Sequence, residues 1–256
     1  MISRRAALHS IAGALLAGCG KSERPLIVGM ELDYPPFETR DMAGKPAGIS
    51  VELATALAGK LGRELRIENL PFAGLIPALK TGKIDLIVSS MTITDERRQS
   101  IDFSEPYWQT GVGFVTYEGS GLRTAADLAK PGVKVVVKSG TTGHFYARDR
   151  KLDFSIVDRL AIATLEVAQR KSAAFLYDQL TLVRTAEEQP GLVPVLDPLQ
   201  TEPWGIGIAK GRDDLRAQVN AFIAEARERG DFARWAEQYL AKELAAARKW
   251  GGTIIH

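Results

Sequence analysis

The stretch SSMTITDERRQSIDFS, residues 89–104, decides the fold of this 256-residue chain. It follows Ile84–Val88, a nearly all-apolar segment typical of a strand buried on both faces of a sheet. Thr94 then stands where a helix N-cap belongs, and two acidic residues fill the first helical turn, where negative charge suits the helix dipole. Ligands bind at the carboxyl edge of such sheets, and arginine can hold a carboxylate with two parallel hydrogen bonds. The stretch predicts a small-anion site around Arg97, although composition alone also fits a solvated arginine.

Strand and helix patterns alternate along the rest of the chain. The first half predicts Leu26–Met30, Val51–Leu61, Glu64–Asn69, Leu75–Thr81 and Ile84–Val88. The second half predicts a helix capped by Thr124 with Asp127, then Val133–Val137, Gly143–Arg150, Thr164–Arg170, Ala173–Tyr177, Asp213–Arg229 and Asp231–Ala247. This alternation indicates mostly parallel sheets. Crossings near Thr110–Val115 and Pro203–Ile206 divide the chain into two units with a cleft between them, an arrangement suited to hinge closure around a ligand.

The N-terminal segment is typical of an export signal. Arg4 and Arg5 precede the short apolar segment Ala6–Ala17, whereas a membrane-spanning helix needs about 20 apolar residues. The segment ends in LAGC, residues 16–19, which resembles the lipobox of bacterial lipoproteins. We therefore predict cleavage after residue 18 and lipid attachment to Cys19, with a buried helix and an incidental cysteine as the alternative.

Charge and cysteine content exclude several classes of function. Without Arg4 and Arg5, the chain has 31 basic and 31 acidic residues, which argues against a nucleic-acid partner. A single cysteine excludes a disulfide within the chain and a cysteine metal cluster. The histidines, His9, His144 and His256, form no metal-binding or catalytic pattern. We expect no metal or cofactor and a monomeric protein.

Five further stretches accompany residues 89–104 in a characteristic order. They are GMELDYPPFE (29–38), LPFAGLIPAL (70–79), KSGTTG (138–143), AFLYD (174–178) and EPWGIGI (202–208). Together they cover roughly residues 25–240 and resemble the polar amino acid family, family 3, of bacterial extracellular solute-binding proteins. The resemblance implies an α/β fold of the periplasmic-binding-protein type II class, with two α/β lobes joined by two crossover strands and the ligand cleft between them. The implied boundaries are 1–18 signal peptide, 19–24 anchor linker, 25–110 and 206–250 lobe 1, 111–205 lobe 2, and 251–256 tail.

The resemblance also implies a role for each residue of the cleft. Arg97 clamps the ligand's α-carboxylate, and the backbone N–H groups of Thr92 and Thr142 assist it. Asp178 pairs with the α-ammonium group, although it also fits the N-cap of a helix over Leu180–Arg184. The implied ligand contacts are Glu31, Tyr34, Phe72, Ser89, Ser90, Thr92, Arg97, Lys138, Thr141, Thr142, Tyr177 and Asp178.

Ligand side-chain recognition is assigned to Glu31, Lys138 and Tyr177, with Tyr34 and Phe72 as aromatic walls. Glu31 offers acceptors and Lys138 offers donors, which together fit a carboxamide and therefore glutamine. The family's glutamine binders carry aspartate in place of Glu31 and histidine in place of Tyr177. Glu31 alone suits a basic amino acid, which we rank second.

The implied function is that of a receptor. The protein captures a polar L-amino acid outside the cytoplasmic membrane, lipid-anchored in the periplasm or at the cell surface, and delivers it to the permease of an ATP-driven importer. An amino acid sensor and a dehydratase-type enzyme are the alternatives. An enzyme needs a proton donor with a raised pKa, whereas an ammonium partner would lower the pKa of Asp178. We therefore expect no enzymatic activity.

Overall fold

The computed structural model describes residues 24–251, so the predicted signal peptide and Cys19 lie outside the described residues. Its strands are β1 Leu26–Met30, β2 Thr39–Arg40, β3 Pro46–Ala47, β4 Leu65–Asn69, β5 Leu86–Ile87, β6 Asp102–Phe103, β7 Trp108–Tyr117, β8 Lys134–Lys138, β9 Asp153–Val157, β10 Ala174–Asp178, β11 Leu192–Trp204 and β12 Gly207–Ile208. Its α-helices are α1 Ile49–Lys60, α2 Phe72–Lys80, α3 Asp95–Ser100, α4 Thr142–Asp149, α5 Leu160–Ala168, α6 Gln179–Glu188, α7 Asp213–Glu228 and α8 Asp231–Lys249. Over residues 24–251, no helix combines the length and apolar character that a membrane crossing requires.

The first five-stranded sheet forms the core of lobe 1. Its strand order is β4-β1-β5-β12-β6, with β1 parallel to both β4 and β5. Leu26, Val28 and Met30 of β1 are fully buried, as expected for a strand between two helical layers. The loops that follow β1 and β5 leave the same edge of the sheet, because the two strands are parallel.

The second five-stranded sheet forms the core of lobe 2, in the order β11-β7-β10-β8-β9. β8 is parallel to β9 and β10, and its three central valines, residues 135–137, are fully buried. The long strands β7 and β11 pair antiparallel from Trp108 opposite Trp204 to Tyr117 opposite Leu192. This paired ribbon carries the chain between the lobes in both directions, so the predicted two-lobe fold with two crossovers is confirmed.

Helix α8 lies against both lobes. The Tyr239 hydroxyl donates to Glu52 of α1 at 2.9 Å, which fixes the helix to lobe 1. The Lys249 ammonium donates to Glu187 of α6 in lobe 2, also at 2.9 Å. The final helix therefore spans the side of the molecule on which the two lobes meet.

The sequence analysis did not predict two strands of lobe 2, β11 and β9. Strand β11 runs from Leu192 to Trp204 and contains three prolines, which argue against a central strand. It lies at a sheet edge, where a proline's missing N–H is tolerated. The local sequence pattern therefore did not predict this strand. Strand β9 is also an edge strand, and its half-exposed residues lack the apolar run of a buried strand. Helix α5 begins at Leu160, four residues before the predicted start at Thr164.

Candidate ligand-binding site

A cleft of about 320 Å³ lies between the lobes, at the carboxyl ends of β1, β5, β8 and β10. That volume includes space open to solvent, and only about 20 Å³ of it is free for a water-sized molecule, so the lobes are closed too tightly to hold an amino acid as they stand. The lining residues are Glu31, Tyr34, Glu38, Phe72, Ser89, Ser90, Thr92, Arg97, Thr141, Thr142, Tyr177 and Asp178. They include every expected ligand contact except Lys138 and add Glu38, which the sequence analysis did not select. Their contact with a ligand stays a prediction.

Arg97 is a buried cation held by neutral groups. The Thr94 hydroxyl accepts a hydrogen bond from the Arg97 backbone N–H, so Thr94 caps α3 as predicted. The guanidinium group donates to the Thr92 carbonyl at 2.6 Å and to the Gly140 carbonyl at 3.0 Å, and it lies between the rings of Phe72 and Phe145. Burial lowers the pKa of Arg97 to about 10, so the side chain remains charged at neutral pH. The solvated-arginine alternative is therefore wrong.

Asp178 ends β10 and occupies the N-cap position of α6. Its side chain makes no capping hydrogen bond, so the helix-cap interpretation is wrong for the carboxyl group. That group instead lies beside the carboxyl group of Glu202 and the Tyr34 hydroxyl. Burial, followed by the charge of Glu202, raises the pKa of Asp178 well above its ordinary value in the empty cleft.

Glu202 is a functional candidate that sequence reasoning missed. It lies on β11 and is completely buried. Its two oxygens accept hydrogen bonds from the Thr92 hydroxyl and the Gln200 amide, both at 3.1 Å. The available signal was a charged residue inside an otherwise buried crossover, directly before Pro203 and Trp204. Thr92, an expected ligand contact, thus donates its hydroxyl proton to Glu202 in this structure.

Glu31 and Lys138 form an ion pair across the cleft. The Lys138 side chain is 1% exposed and lies behind Glu31, so it is not part of the cleft lining. The other carboxylate oxygen of Glu31 accepts from the Phe72 backbone N–H at 3.2 Å. The two charges that the sequence analysis assigned to the ligand's side chain therefore neutralise each other in the empty cleft.

Glu38 is a second buried carboxyl group that sequence reasoning missed. It accepts hydrogen bonds from the hydroxyl groups of Ser50 at 2.5 Å, Ser90 at 3.0 Å and Ser89 at 3.3 Å. Burial raises the pKa of Glu38 to about 8. The serine hydrogen bonds lower this pKa, but by less than burial raises it. Ser90 has a φ of 45°, a conformation that costs a non-glycine residue free energy and that its hydrogen bond to Glu38 helps to hold. The hydroxyl groups of Ser89 and Ser90 thus donate hydrogen bonds to Glu38, although both residues line the cleft.

The turn from β8 into α4 brings backbone N–H groups to the cleft. The Thr141 hydroxyl accepts from the His144 backbone N–H at 3.4 Å and donates to the Lys138 carbonyl at 2.8 Å. Gly140 adopts a φ of 74°, and a Cβ at Gly143 would lie 2.5 Å from the Leu176 carbonyl oxygen, so both positions favour glycine. A helix N-terminus with free N–H groups favours an anion, which fits the role expected of Thr142.

Two further contacts hold the lobes together at the edge of the cleft. Glu96 of α3 and Arg148 of α4 form an exposed ion pair with an N–O distance of 2.8 Å. The hydrogen bond from Arg97 to Gly140 also joins lobe 1 to lobe 2. Over residues 24–251, no group of three or more His, Cys, Asp or Glu side chains is arranged to hold a metal ion.

Comparison with known proteins identifies the family. The sequence profile of the family described as "Bacterial extracellular solute-binding proteins, family 3" matches residues 26–242. The chain belongs to this family. The resemblance inferred from the sequence motifs is therefore confirmed, and so is the fold that it implied.

Relatives of this family 3 protein bind amino acids by description. The L-arginine-binding protein of Pseudomonas aeruginosa is 31% identical over 236 residues, which cover 87% of this chain and 90% of that protein. A crystal structure of a mutant of ArgBP from T. maritima is similar with a TM-score of 0.80 and 35% identity, covering 85% of this chain and 95% of that one. An ancestral arginine-binding protein bound to glutamine has a TM-score of 0.79 and 31% identity, covering 85% of this chain and 98% of that one.

Proposed function

We propose that this family 3 protein is the substrate-binding receptor of an ATP-driven importer and captures a polar L-amino acid, with glutamine preferred and a basic amino acid second. The observation that carries the proposal is the pair of opposite charges at one end of the cleft. Arg97 and Asp178 both line the cleft, and neither is neutralised by an ion pair with the other. An α-carboxylate and an α-ammonium group supply the two missing partners.

The α-carboxylate binds Arg97 and the N-terminus of α4. The guanidinium group makes its hydrogen bonds to backbone carbonyls, which leaves its positive charge uncompensated, while the first N–H groups of α4 face the same space. A carboxylate gains charge-assisted hydrogen bonds from both donors. The α-ammonium group binds Asp178 on the opposite wall, with the Ser90 carbonyl and the Thr92 hydroxyl as further partners.

The ligand's side chain lies toward Glu31 and between Tyr34, Phe72 and Tyr177. Because Lys138 already balances the charge of Glu31, this end of the cleft is neutral overall and favours a neutral polar side chain. A carboxamide can donate to Glu31 and accept from Lys138 if their ion pair opens. One related protein is described as arginine-binding and one related structure contains bound glutamine, which supports both glutamine and arginine as candidates.

Titration calorimetry on the mature chain tests this proposal. We expect the affinity order glutamine, then arginine, then glutamate and leucine, because glutamate meets a like charge and leucine leaves buried polar groups without partners. Tighter binding of arginine than glutamine would show that Glu31 reads the side chain and that Lys138 turns away. If no amino acid bound, the receptor proposal would be wrong.

Membrane attachment is part of the same proposal. Lipid on Cys19 would hold the receptor beside its permease, and two or more acyl chains are needed for stable attachment. The change Cys19→Ser should release a soluble or unprocessed form in the native host. Mass spectrometry of the membrane fraction checks this, and a membrane-bound variant of unchanged mass would exclude the lipobox interpretation.

A dehydratase acting on a carboxylated ring is a second candidate, and one observation favours it. The sequence argument against an enzyme assumed a lowered pKa for Asp178, whereas the empty cleft raises it, which is the direction that a proton donor needs. The relatives described above are binding proteins. Incubation with candidate ligands followed by mass spectrometry distinguishes the two functions, since a receptor returns its ligand unchanged and a dehydratase releases water.

A further inference from the structure

Ser90 adopts a left-handed backbone conformation at the wall of the cleft, with a φ of 45°. Within residues 24–251, the other non-glycine residues with a positive φ are Lys151 and Arg170. Each of these two stands directly after the C-cap of a helix, α4 or α5, where a left-handed residue commonly ends the helix. Ser90 follows strand β5 instead, so a helix end does not explain its conformation.

The carboxyl group of Glu38 holds Ser90 in this conformation. The Ser90 hydroxyl donates to Glu38 at 3.0 Å, and both residues are buried. A buried hydroxyl that lost this partner would be left unsatisfied, which costs free energy. The hydrogen bond therefore offsets part of the cost of the left-handed backbone.

Glu38 can act as an anchor because several parts of lobe 1 fix it in place. Its backbone N–H donates to the Tyr34 carbonyl at 3.0 Å, and its carbonyl accepts from the Tyr34 N–H at 2.9 Å. Ser50 of α1 donates to its carboxyl group at 2.5 Å. Ser89 donates to the other carboxyl oxygen at 3.3 Å and accepts from the Glu31 backbone N–H at 3.0 Å. All of these contacts lie within lobe 1, so they do not depend on how far the lobes are closed.

We propose that Glu38 is a positioning residue for amino acid binding, which holds Ser90 at a positive φ so that its backbone, rather than its hydroxyl, meets the ligand. The inference rests on the proposed function, in which the Ser90 carbonyl accepts from the α-ammonium group. A chain whose residue 90 relaxes to a negative φ must return to the left-handed conformation before it binds. Its apparent affinity falls by the fraction of molecules that hold that conformation.

Alanine and glycine at position 90 test this role, because both remove the hydroxyl and only alanine resists a positive φ. The left-handed conformation costs alanine about 1–2 kcal/mol, whereas glycine adopts it about as readily as the right-handed one. We therefore expect Ser90→Ala to bind glutamine about 5- to 30-fold more weakly than Ser90→Gly. Titration calorimetry measures the ratio, and melting curves check that both variants are folded.

Variants of Glu38 test the anchor itself. Glu38→Met keeps a similar shape but offers Ser90 no acceptor, so its glutamine affinity should fall by about the same 5- to 30-fold. Glu38→Gln keeps an oxygen that can accept from Ser90, and it should bind more tightly than Glu38→Met. Adding Ser90→Gly to Glu38→Met should recover affinity, since glycine needs no hydrogen bond to adopt a positive φ. A general loss of packing at Glu38 would not be rescued from position 90.

Lys151 provides the matched control for the backbone effect. It is exposed after α4, has a φ of 54° and does not line the cleft. Lys151→Gly should be more stable than Lys151→Ala in urea denaturation, because the same preference for glycine applies there. Both variants should bind glutamine as tightly as the unmodified protein.

The outcomes separate this inference from the proposed function. Equal losses of affinity in Ser90→Ala and Ser90→Gly would mean that the hydroxyl contacts the ligand directly, and would overturn the positioning role. Unchanged affinity in Ser90→Ala would overturn it too, because the left-handed conformation would then not matter for binding. Either result retains the receptor, since the unmodified protein binds in both. If the unmodified protein binds no amino acid, both proposals fail together. The comparison at position 90 is decisive even if Glu38→Met does not fold.

Discussion

The two ends of the cleft use the same kinds of charged side chains in opposite ways. At one end the Arg97 guanidinium group donates to backbone carbonyls, and Asp178 lies beside a second acid, Glu202. At the other end Glu31 and Lys138 neutralise each other directly. The first end keeps charges available for a zwitterion, whereas the second presents a closed ion pair.

If the proposed function is right, this difference explains how one cleft could bind amino acids generally and still select among them. On the proposed function, the buried cation of Arg97 and the carboxyl group of Asp178 recognise the α-carboxylate and α-ammonium groups that every amino acid carries. Breaking the buried Glu31–Lys138 ion pair is costly. Only a ligand side chain that forms new hydrogen bonds to these charges can offset that cost. On the proposed function, selectivity should therefore depend on Lys138 as much as on Glu31, although Lys138 does not line the cleft.

The largest predicted effect on ligand affinity comes from removing Arg97 or Asp178, the residues proposed to bind the α-carboxylate and α-ammonium groups. Arg97→Ala or Asp178→Ala should lower amino acid affinity by about two to three and a half decades, since breaking one partner of a buried charge pair costs about 3–5 kcal/mol. Titration calorimetry measures the loss, with melting curves to check the fold. Arg98→Ala, an exposed neighbour on α3, is the matched control and should bind normally. A loss below tenfold in both variants would contradict the assignment of this end.

A smaller effect tests the end of the cleft at which Glu31 and Lys138 form their ion pair. Lys138→Met leaves Glu31 without its cation, so a basic side chain becomes the best available partner. We expect the ratio of arginine to glutamine affinity to rise by about 10–100-fold, the range of about 1.5–3 kcal/mol for a charged hydrogen bond. Lys134→Met, an exposed residue on the same strand, should leave the ratio unchanged. An unchanged ratio in Lys138→Met would mean that the ion pair does not control selectivity.

Glu38 lines the cleft, and its ionisation can be tested through the pH dependence of stability. Its pKa of about 8 in the folded protein lies above the ordinary 4.5, so the folded state binds a proton that the unfolded chain has already lost. Stability of the unmodified protein should therefore fall as pH rises through this window, by up to about 1.4 kcal/mol per unit.

Glu38→Gln removes this titration because the amide does not ionise. Its unfolding free energy relative to the unmodified protein should increase steadily from pH 5 to pH 8. Urea denaturation at four pH values measures the trend, with Glu64→Gln as the surface control. A difference that stays constant with pH would show that Glu38 is already ionised in the folded protein.

The smallest predicted effect concerns the exposed pair Glu96–Arg148 at the edge of the cleft. Arg148→Ala should reduce ligand affinity by less than about fivefold, because exposed ion pairs contribute little and salt screens them. The effect should disappear in 0.5 M salt, as measured by calorimetry. A larger loss that persists in salt would mean that this pair, rather than the ligand, holds the lobes closed.

Much of the cleft followed from local sequence. The N-caps at Thr94 and Thr124, the strand Leu26–Met30 and the two crossings depend on neighbours along the chain, and the structure agrees with them. Strand β11 and edge strand β9 did not follow, because sheet edges tolerate prolines and half-exposed residues that a local pattern excludes.

The sequence by itself determined which family this chain belongs to, which loops meet at the cleft and which charges those loops carry. Only the tertiary structure decided how the charges combine. Glu202 meets Asp178, Lys138 meets Glu31 and Glu38 meets three serines, and nearly all of these partners lie far apart along the chain. The energy of a buried charge depends on its desolvation and on the groups within a few ångströms, and neither can be obtained from residue order. That is why the residues of the site were predictable and the two opposite arrangements of charge within it were not.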